Sequence, residues 1–177
     1  MTRAVFLDRD GVINDAMVRN GKPYPPSSVA EVRIVEDAAS ALARLKRVGF
    51  HLAVVTNQPD VARGTQKRAV VEAINEFLAA RLPLDAFHVC YHDEADNCAC
   101  RKPKPGLILD AARALDVDPV FGFVVGDRWR DIAAGRAAGC RTVWIDRGYA
   151  EPAPVEYGFR AESLSAAVDW IVSQTTK

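Results

Sequence analysis

The stretch AVFLDRDGVIN, residues 4–14, runs from an apolar segment straight into two aspartates and a glycine. Apolar residues without polar alternation predict a strand covered on both faces. Asp8 and Asp10 follow it, two residues apart. If extended geometry continues, their side chains share a face. If the chain turns, Gly11 lets it leave the sheet sharply. In both cases two carboxylates lie close together and repel, so a compensating charge is expected. A divalent cation supplies it, and an all-oxygen ligand set suits Mg²⁺. A solvated Asp-Gly turn is the plainer alternative for this fragment alone.

Four further short runs have the same character: HLAVVT (51–56), FHVCY (87–91), FGFVVG (121–126) and RTVWI (141–145). Helical periodicity fills the gaps between them. Residues 37–48 align Ala38, Ala41, Leu42 and Leu45, with Asp37 as the expected N-cap and Gly49 as the left-handed stop. Residues 66–81 carry a stripe of Val70, Ile74, Phe77 and Leu78. Residues 107–115 align Leu107, Ile108, Ala111 and Leu115. Helices are also expected over 130–138, ended by Gly139, and over 163–173. This alternation predicts an α/β fold with a mostly parallel central sheet and helices on both faces. Ligands of such sheets bind beyond the carboxyl ends of the strands. Asp8 and Asp10, Thr56, His92 and Asp127 all fall at such ends.

The 177 residues suffice for one well-filled core, so 1–177 is expected to form a single domain. Lys plus Arg and Asp plus Glu both number 23, which offers no long-range attraction to nucleic acid or an anionic membrane. No signal peptide pattern and no apolar stretch of membrane-spanning length is visible, so a cytoplasmic location is expected. Residues 12–36 include GKPYPPSS and read as loop. A flap over the pocket and a plain surface excursion fit that composition equally.

Three of the four cysteines crowd into CYHDEADNCACRKPKPG, residues 90–106. Cys90, His92, Cys98 and Cys100 have the spacing C-x-H, five residues, C-x-C. Three thiolates and an imidazole can close a tetrahedral Zn²⁺ site, here a structural one over residues 90–100. A disulfide is disfavoured in the cytosol, and a catalytic cysteine leaves more of the cluster unexplained. Cys140 reads as an ordinary buried residue. The following RKPKPG offers Arg101, Lys102 and Lys104 before a helix, stiffened by prolines; a solvated basic loop is the alternative. Thr56 is either a pocket hydroxyl or a strand-end cap. Asp131, four residues after Asp127, is either a helix-start carboxylate or a partner behind the metal ligands. Trp129 lies at the pocket rim or packs in its helix.

These parts in this order resemble the haloacid dehalogenase-like (HAD) phosphohydrolase superfamily. DxD matches Asp8 and Asp10, a strand-end hydroxyl matches Thr56, a lysine before a helix matches Lys102, and GDxxxD matches Asp127 and Asp131. CxH…CxCRKPxPG resembles the zinc-containing histidinol-phosphatase-like branch. FLDRDGVIN, TNQ followed by ARG, and VGD resemble its D-glycero-D-manno-heptose-1,7-bisphosphate 7-phosphatase group. CYHD stands where CPHH is common, and Pro59 and Asp60 alter the segment after TNQ. The resemblance implies a Rossmann-like HAD core, and the chain has room for no large cap domain beside the sheet core, residues 12–36 and the zinc loop. The resemblance also implies Asp8 as nucleophile, Asp10 as acid and base, and Thr56 and Lys102 holding phosphoryl oxygens. Catalytic Mg²⁺ would be held by Asp8, Asp10 through its main-chain carbonyl, and Asp127. Arg101, Asn57, Gln58 and Arg128 are assigned to the rest of a small phosphorylated sugar. The expected protein is a monomer acting on a heptose bisphosphate. Histidinol phosphate or another sugar phosphate, or a non-catalytic role on the same fold, are the alternatives.

Overall fold

A computed structural model describes residues 2–175. Its main sheet is formed by β1 (Arg3–Leu7), β4 (Phe50–Asn57), β5 (Ala86–Cys90), β6 (Phe123–Gly126), β7 (Arg141–Ile145) and β8 (Phe159–Ala161). The order is β5-β4-β1-β6-β7-β8, with every neighbouring pair parallel. The chain builds outward from β1 to β4 and β5, then crosses back to lay β6, β7 and β8 on the other side. The direction of winding therefore reverses beside β1, where α/β sheets open a crevice at their carboxyl ends.

Alternation along β1 sorts the core into two layers. Val5 and Leu7 face a layer with Leu42 and Leu45 of α1 (Ala38–Arg47), Ile74 and Leu78 of α2 (Arg68–Ala79), and Leu164 and Ile171 of α5 (Leu164–Ser173). Ala4 and Phe6 face Ile108 and Ala111 of α3 (Gly106–Ala114) and Ala134 of α4 (Trp129–Ala137). All four strand residues are fully buried, which is why the run is continuously apolar. Among the described residues no large cap domain is inserted. The segment after β1 instead folds into a small antiparallel hairpin, β2 (Met17–Arg19) and β3 (Lys22–Tyr24).

The five sequence-read strands and five helices are present, with shifted ends. FGFVVG begins too early: Phe121 belongs to a 3-10 turn, Pro119–Phe121. β8 was not expected; three residues at the sheet edge leave too little pattern to read. Gly49 does take a positive φ of 87°. Asp37 holds the N-cap position of α1, but its side chain makes no capping hydrogen bond. Its carboxylate accepts the Ser165 N–H at 2.7 Å, joining α1 to the start of α5. On α2, the fully covered stripe runs through Val71, Ile74, Asn75 and Leu78, while Val70 and Phe77 are half-buried at its edge. Among the described residues no helix is long and apolar enough to cross a membrane.

Candidate active site

The chain leaves β1 through Asp8, and Gly11 makes the turn at φ 89°. A β-carbon on Gly11 would lie 1.8 Å from Asp127 Oδ2, so glycine is required both for the turn and for the approach of the loop after β6. The ligand oxygens of Asp8, Asp127 and Asp131 lie within 4.8 Å of one another, and all three residues are buried. Gly126 admits the last of these, because a β-carbon there would sit 2.1 Å from Asp131 Cβ.

Lys102 reaches into this cluster from the loop before α3. Its ammonium lies 2.8 Å from Asp8 Oδ1 and 2.6 Å from Asp131 Oδ1, and donates to the Val55 carbonyl at 2.8 Å. Burial alone would depress the Lys102 pKa, but Asp131 and Asp8 outweigh it and hold it above the ordinary range. Asp131 is the helix-start carboxylate that one reading of its position expects, and it also pairs with Lys102. One oxygen pairs with Lys102, and the other accepts the Arg128 N–H at 3.0 Å in the first turn of α4.

One cation among three buried carboxylates leaves negative charge uncompensated. Burial, then repulsion by Asp131, push Asp8 up to about 6 despite Lys102. Burial, then Asp8 and Asp131, push Asp127 well above the carboxylate range. Asp127 Oδ1 is buried and accepts no hydrogen bond, while Oδ2 accepts from the Tyr149 hydroxyl at 2.8 Å. An orphaned oxygen in an electron-rich cluster of hard ligands fits a divalent cation.

The Asp10 carboxylate lies outside this cluster. It accepts from Arg9 at 3.0 and 3.2 Å, Asn14 at 3.0 Å and Gln58 at 2.9 Å. Arg9 is fully buried and its remaining arm donates to Asn75 Oδ1 at 2.9 Å. Asn75 is a polar interruption in the buried stripe of α2, a signal of this buttress that the sequence reading passed over. Gln58 also donates to Thr56 Oγ at 2.9 Å. Asn57 uses both ends of its amide on the main chain of Lys102, donating to the carbonyl at 3.0 Å and accepting from the N–H at 3.1 Å. Asn57 and Gln58, read from sequence as substrate contacts, also position Lys102, Thr56 and Asp10, and Asn57 lines the cavity above Asp8 and Asp10.

A cavity of about 320 Å³ opens above Asp8 and Asp10. Thr56, Arg101, Lys102 and Arg128 line it, as expected from sequence, and so do Lys22, Tyr24, Arg63, Arg130 and Glu151. Lys22, Pro23, Tyr24 and Pro25 belong to the β2–β3 region, so the segment after β1 forms a wall of the cavity rather than a remote excursion. Arg128 is tied to Glu151 by two hydrogen bonds, one of 2.8 Å.

The Cys90, His92, Cys98 and Cys100 ligand atoms gather beside this cavity within 4.8 Å of one another. Cys100 Sγ is 3.1 Å from Cys90 Sγ, 3.5 Å from Cys98 Sγ and 3.3 Å from His92 Nδ1, and no disulfide is formed. Burial, then the neighbouring thiols Cys90 and Cys98, push Cys100 upward. Burial also raises Cys98, but hydrogen bonds led by the Arg101 N–H more than offset it and bring the thiol down to about 7. Crowded sulfurs of this kind fit a soft divalent cation that stabilises their thiolates. The Arg101 N–H lies 3.3 Å from Cys98 Sγ, so the loop fixes the residue immediately before Lys102. Cys140 lies apart, buried in the α3–α4 layer. His88 is half-buried on β5 and outside the cavity.

Comparison with known proteins agrees with this geometry. A HAD-hydrolase-like family model matches residues 99–171. The chain is 35% identical to the D-glycero-β-D-manno-heptose-1,7-bisphosphate 7-phosphatase of Pasteurella multocida, over 84% of each chain. It is 34% identical to the enzyme of the same name from Escherichia coli K12, over 96% of this chain and 88% of the relative. The crystal structure of the D,D-heptose 1,7-bisphosphate phosphatase of B. bronchiseptica, complexed with magnesium and phosphate, superposes with a TM-score of 0.82 at 32% identity, covering 98% of this chain and 99% of that one. The chain belongs to the HAD-like phosphatases, as a close relative of the D-glycero-D-manno-heptose-1,7-bisphosphate 7-phosphatases.

Proposed function

We propose that the protein removes the 7-phosphate of D-glycero-D-manno-heptose 1,7-bisphosphate, with Asp8 as nucleophile. The observation that carries this reading is the placement of Asp8 and Asp10 on the cavity floor, with Lys102 2.8 Å from Asp8. An Asp8 oxygen attacks phosphorus as the bond to the sugar oxygen breaks, leaving a phosphoaspartyl group. Asp10 gives a proton to the departing sugar oxygen, then takes one from the water that attacks the phosphoaspartyl phosphorus and restores Asp8. Arg9, Asn14 and Gln58 aim Asp10 for both transfers. Thr56 and Lys102 hold phosphoryl oxygens.

Asp8, Asp127 and the main-chain carbonyl of Asp10 would hold Mg²⁺, which offsets repulsion between the attacking carboxylate and the anionic phosphate. Support comes from the orphaned Asp127 oxygen and from the relative solved with magnesium and phosphate. Away from the carboxylate cluster, Asp10 and Lys102, the cavity carries Lys22, Arg63, Arg101, Arg128 and Arg130 against Asp60, Glu94 and Glu151. That positive excess suits a substrate with a second phosphate. Mg²⁺-dependent phosphate release, measured in parallel on both anomers of the heptose bisphosphate and on histidinol phosphate, tests the assignment. A strong preference for a heptose anomer is expected. Release from histidinol phosphate alone would overturn the substrate and leave the chemistry.

The Cys90–His92–Cys98–Cys100 loop would hold a structural Zn²⁺, with all four positions filled by protein. Metal analysis of the purified protein is expected to find stoichiometric zinc. Cys98→Ser is expected to lower the unfolding midpoint and the activity together, because the loop carries Arg101 and Lys102. A folded, active preparation without zinc would refute this.

A further inference from the structure

The loop that follows β7 carries no residue of the four superfamily motifs, yet it touches the carboxylate cluster directly. We propose that Tyr149 is a positioning residue for Mg²⁺ binding: its hydroxyl locks Asp127 Oδ2 and thereby aims the orphaned Oδ1 at the metal. This rests on the reading of the cluster as the Mg²⁺ site.

Three observations support it. The Tyr149 hydroxyl donates to Asp127 Oδ2 at 2.8 Å, the one side-chain hydrogen bond to that carboxylate among the described residues. Asp127 Oδ1 is left buried without a partner, so the two oxygens have separate duties. Gly11 packs against this pair, since a β-carbon there would meet both Asp127 Oδ2 at 1.8 Å and the Tyr149 hydroxyl at 2.8 Å.

The loop is also built to deliver this hydroxyl. Before Tyr149, Arg147 Nε donates to the Gly11 carbonyl at 2.9 Å. After it, the Ala150 N–H donates to the Gly21 carbonyl at 2.8 Å, at the tip of the hairpin. Glu151 then pairs with Arg128. The Asp127 carbonyl accepts from Trp144 Nε1 of β7 at 3.2 Å, so the same region fixes its main chain. Anchors on both sides of Tyr149 leave its ring little freedom, and an outer hydrogen bond that orients a metal-binding carboxylate strengthens metal affinity.

The test is titration calorimetry of Mg²⁺ into metal-depleted, zinc-retaining protein, without substrate, for the wild type, Tyr149→Phe and Glu151→Gln. Tyr149→Phe is expected to weaken Mg²⁺ binding about tenfold, with kcat at saturating Mg²⁺ close to that of the wild type. Glu151→Gln loosens the same loop without touching Asp127, and its Mg²⁺ affinity is expected to match the wild type. Unchanged affinity in Tyr149→Phe, or equal losses in both variants, would overturn the proposal. A wild type that binds no Mg²⁺ would instead overturn the metal reading beneath it.

Discussion

Replacing Asp8 by Asn is expected to lower turnover on the order of 10⁴-fold or more, in a protein that stays folded. The amide has nearly the same size and can still accept from Lys102, but it is a poor nucleophile toward phosphorus. Stability should move the other way. Burial and Asp131 raise the Asp8 carboxyl to about 6 in the metal-free protein. A carboxyl raised in the folded state handicaps folding once it ionises. The handicap is absent below the ordinary carboxylate range and develops as pH rises through about 6. Near pH 7.5 the neutral Asn removes it, so the unfolding midpoint without Mg²⁺ should equal or exceed that of the wild type. Unchanged phosphate release would remove Asp8 from the mechanism.

Lys102→Ala should damage both stability and chemistry. The side chain is 2% exposed and is the cation between Asp8 and Asp131. Breaking a buried pair leaves an uncompensated charge, at a cost of about 3–5 kcal/mol. Mg²⁺ should recover part of it, so the variant should show a larger Mg²⁺-induced rise in unfolding midpoint than the wild type. Activity at saturating Mg²⁺ should fall about 10²–10³-fold, since a phosphoryl-binding donor is gone. Thermal unfolding with and without Mg²⁺ checks the first expectation and steady-state kinetics the second. Wild-type stability without metal would show that the carboxylates do not depend on this lysine.

The residues legible in the sequence carry a chemically distinctive group, and most of them stand at the carboxyl end of a strand or beside another marked element. Asp8, Thr56 and Asp127 are read in that way. Lys102 is placed by the cysteine cluster and the helix start around it. Tyr149, Arg147 and Glu151 have no such marker. They lie in an irregular loop, and their partners are far along the chain, Arg147 reaching Gly11 across 136 residues. Asn57 and Gln58 show a different limit. Their amides suit substrate or protein equally, and only the pairing of β4 with the loop before α3 shows that Asn57 grips Lys102. β8 escaped because its partner β7 supplies the order that its own three residues lack.

The most direct measurement is ³¹P NMR of D-glycero-D-manno-heptose 1,7-bisphosphate incubated with the protein and Mg²⁺. The 7-phosphate resonance should disappear as inorganic phosphate grows in, while the anomeric 1-phosphate persists, and nothing should change when Mg²⁺ is withheld. Loss of the anomeric phosphate first, or a spectrum unchanged with Mg²⁺ present, would contradict the proposed function.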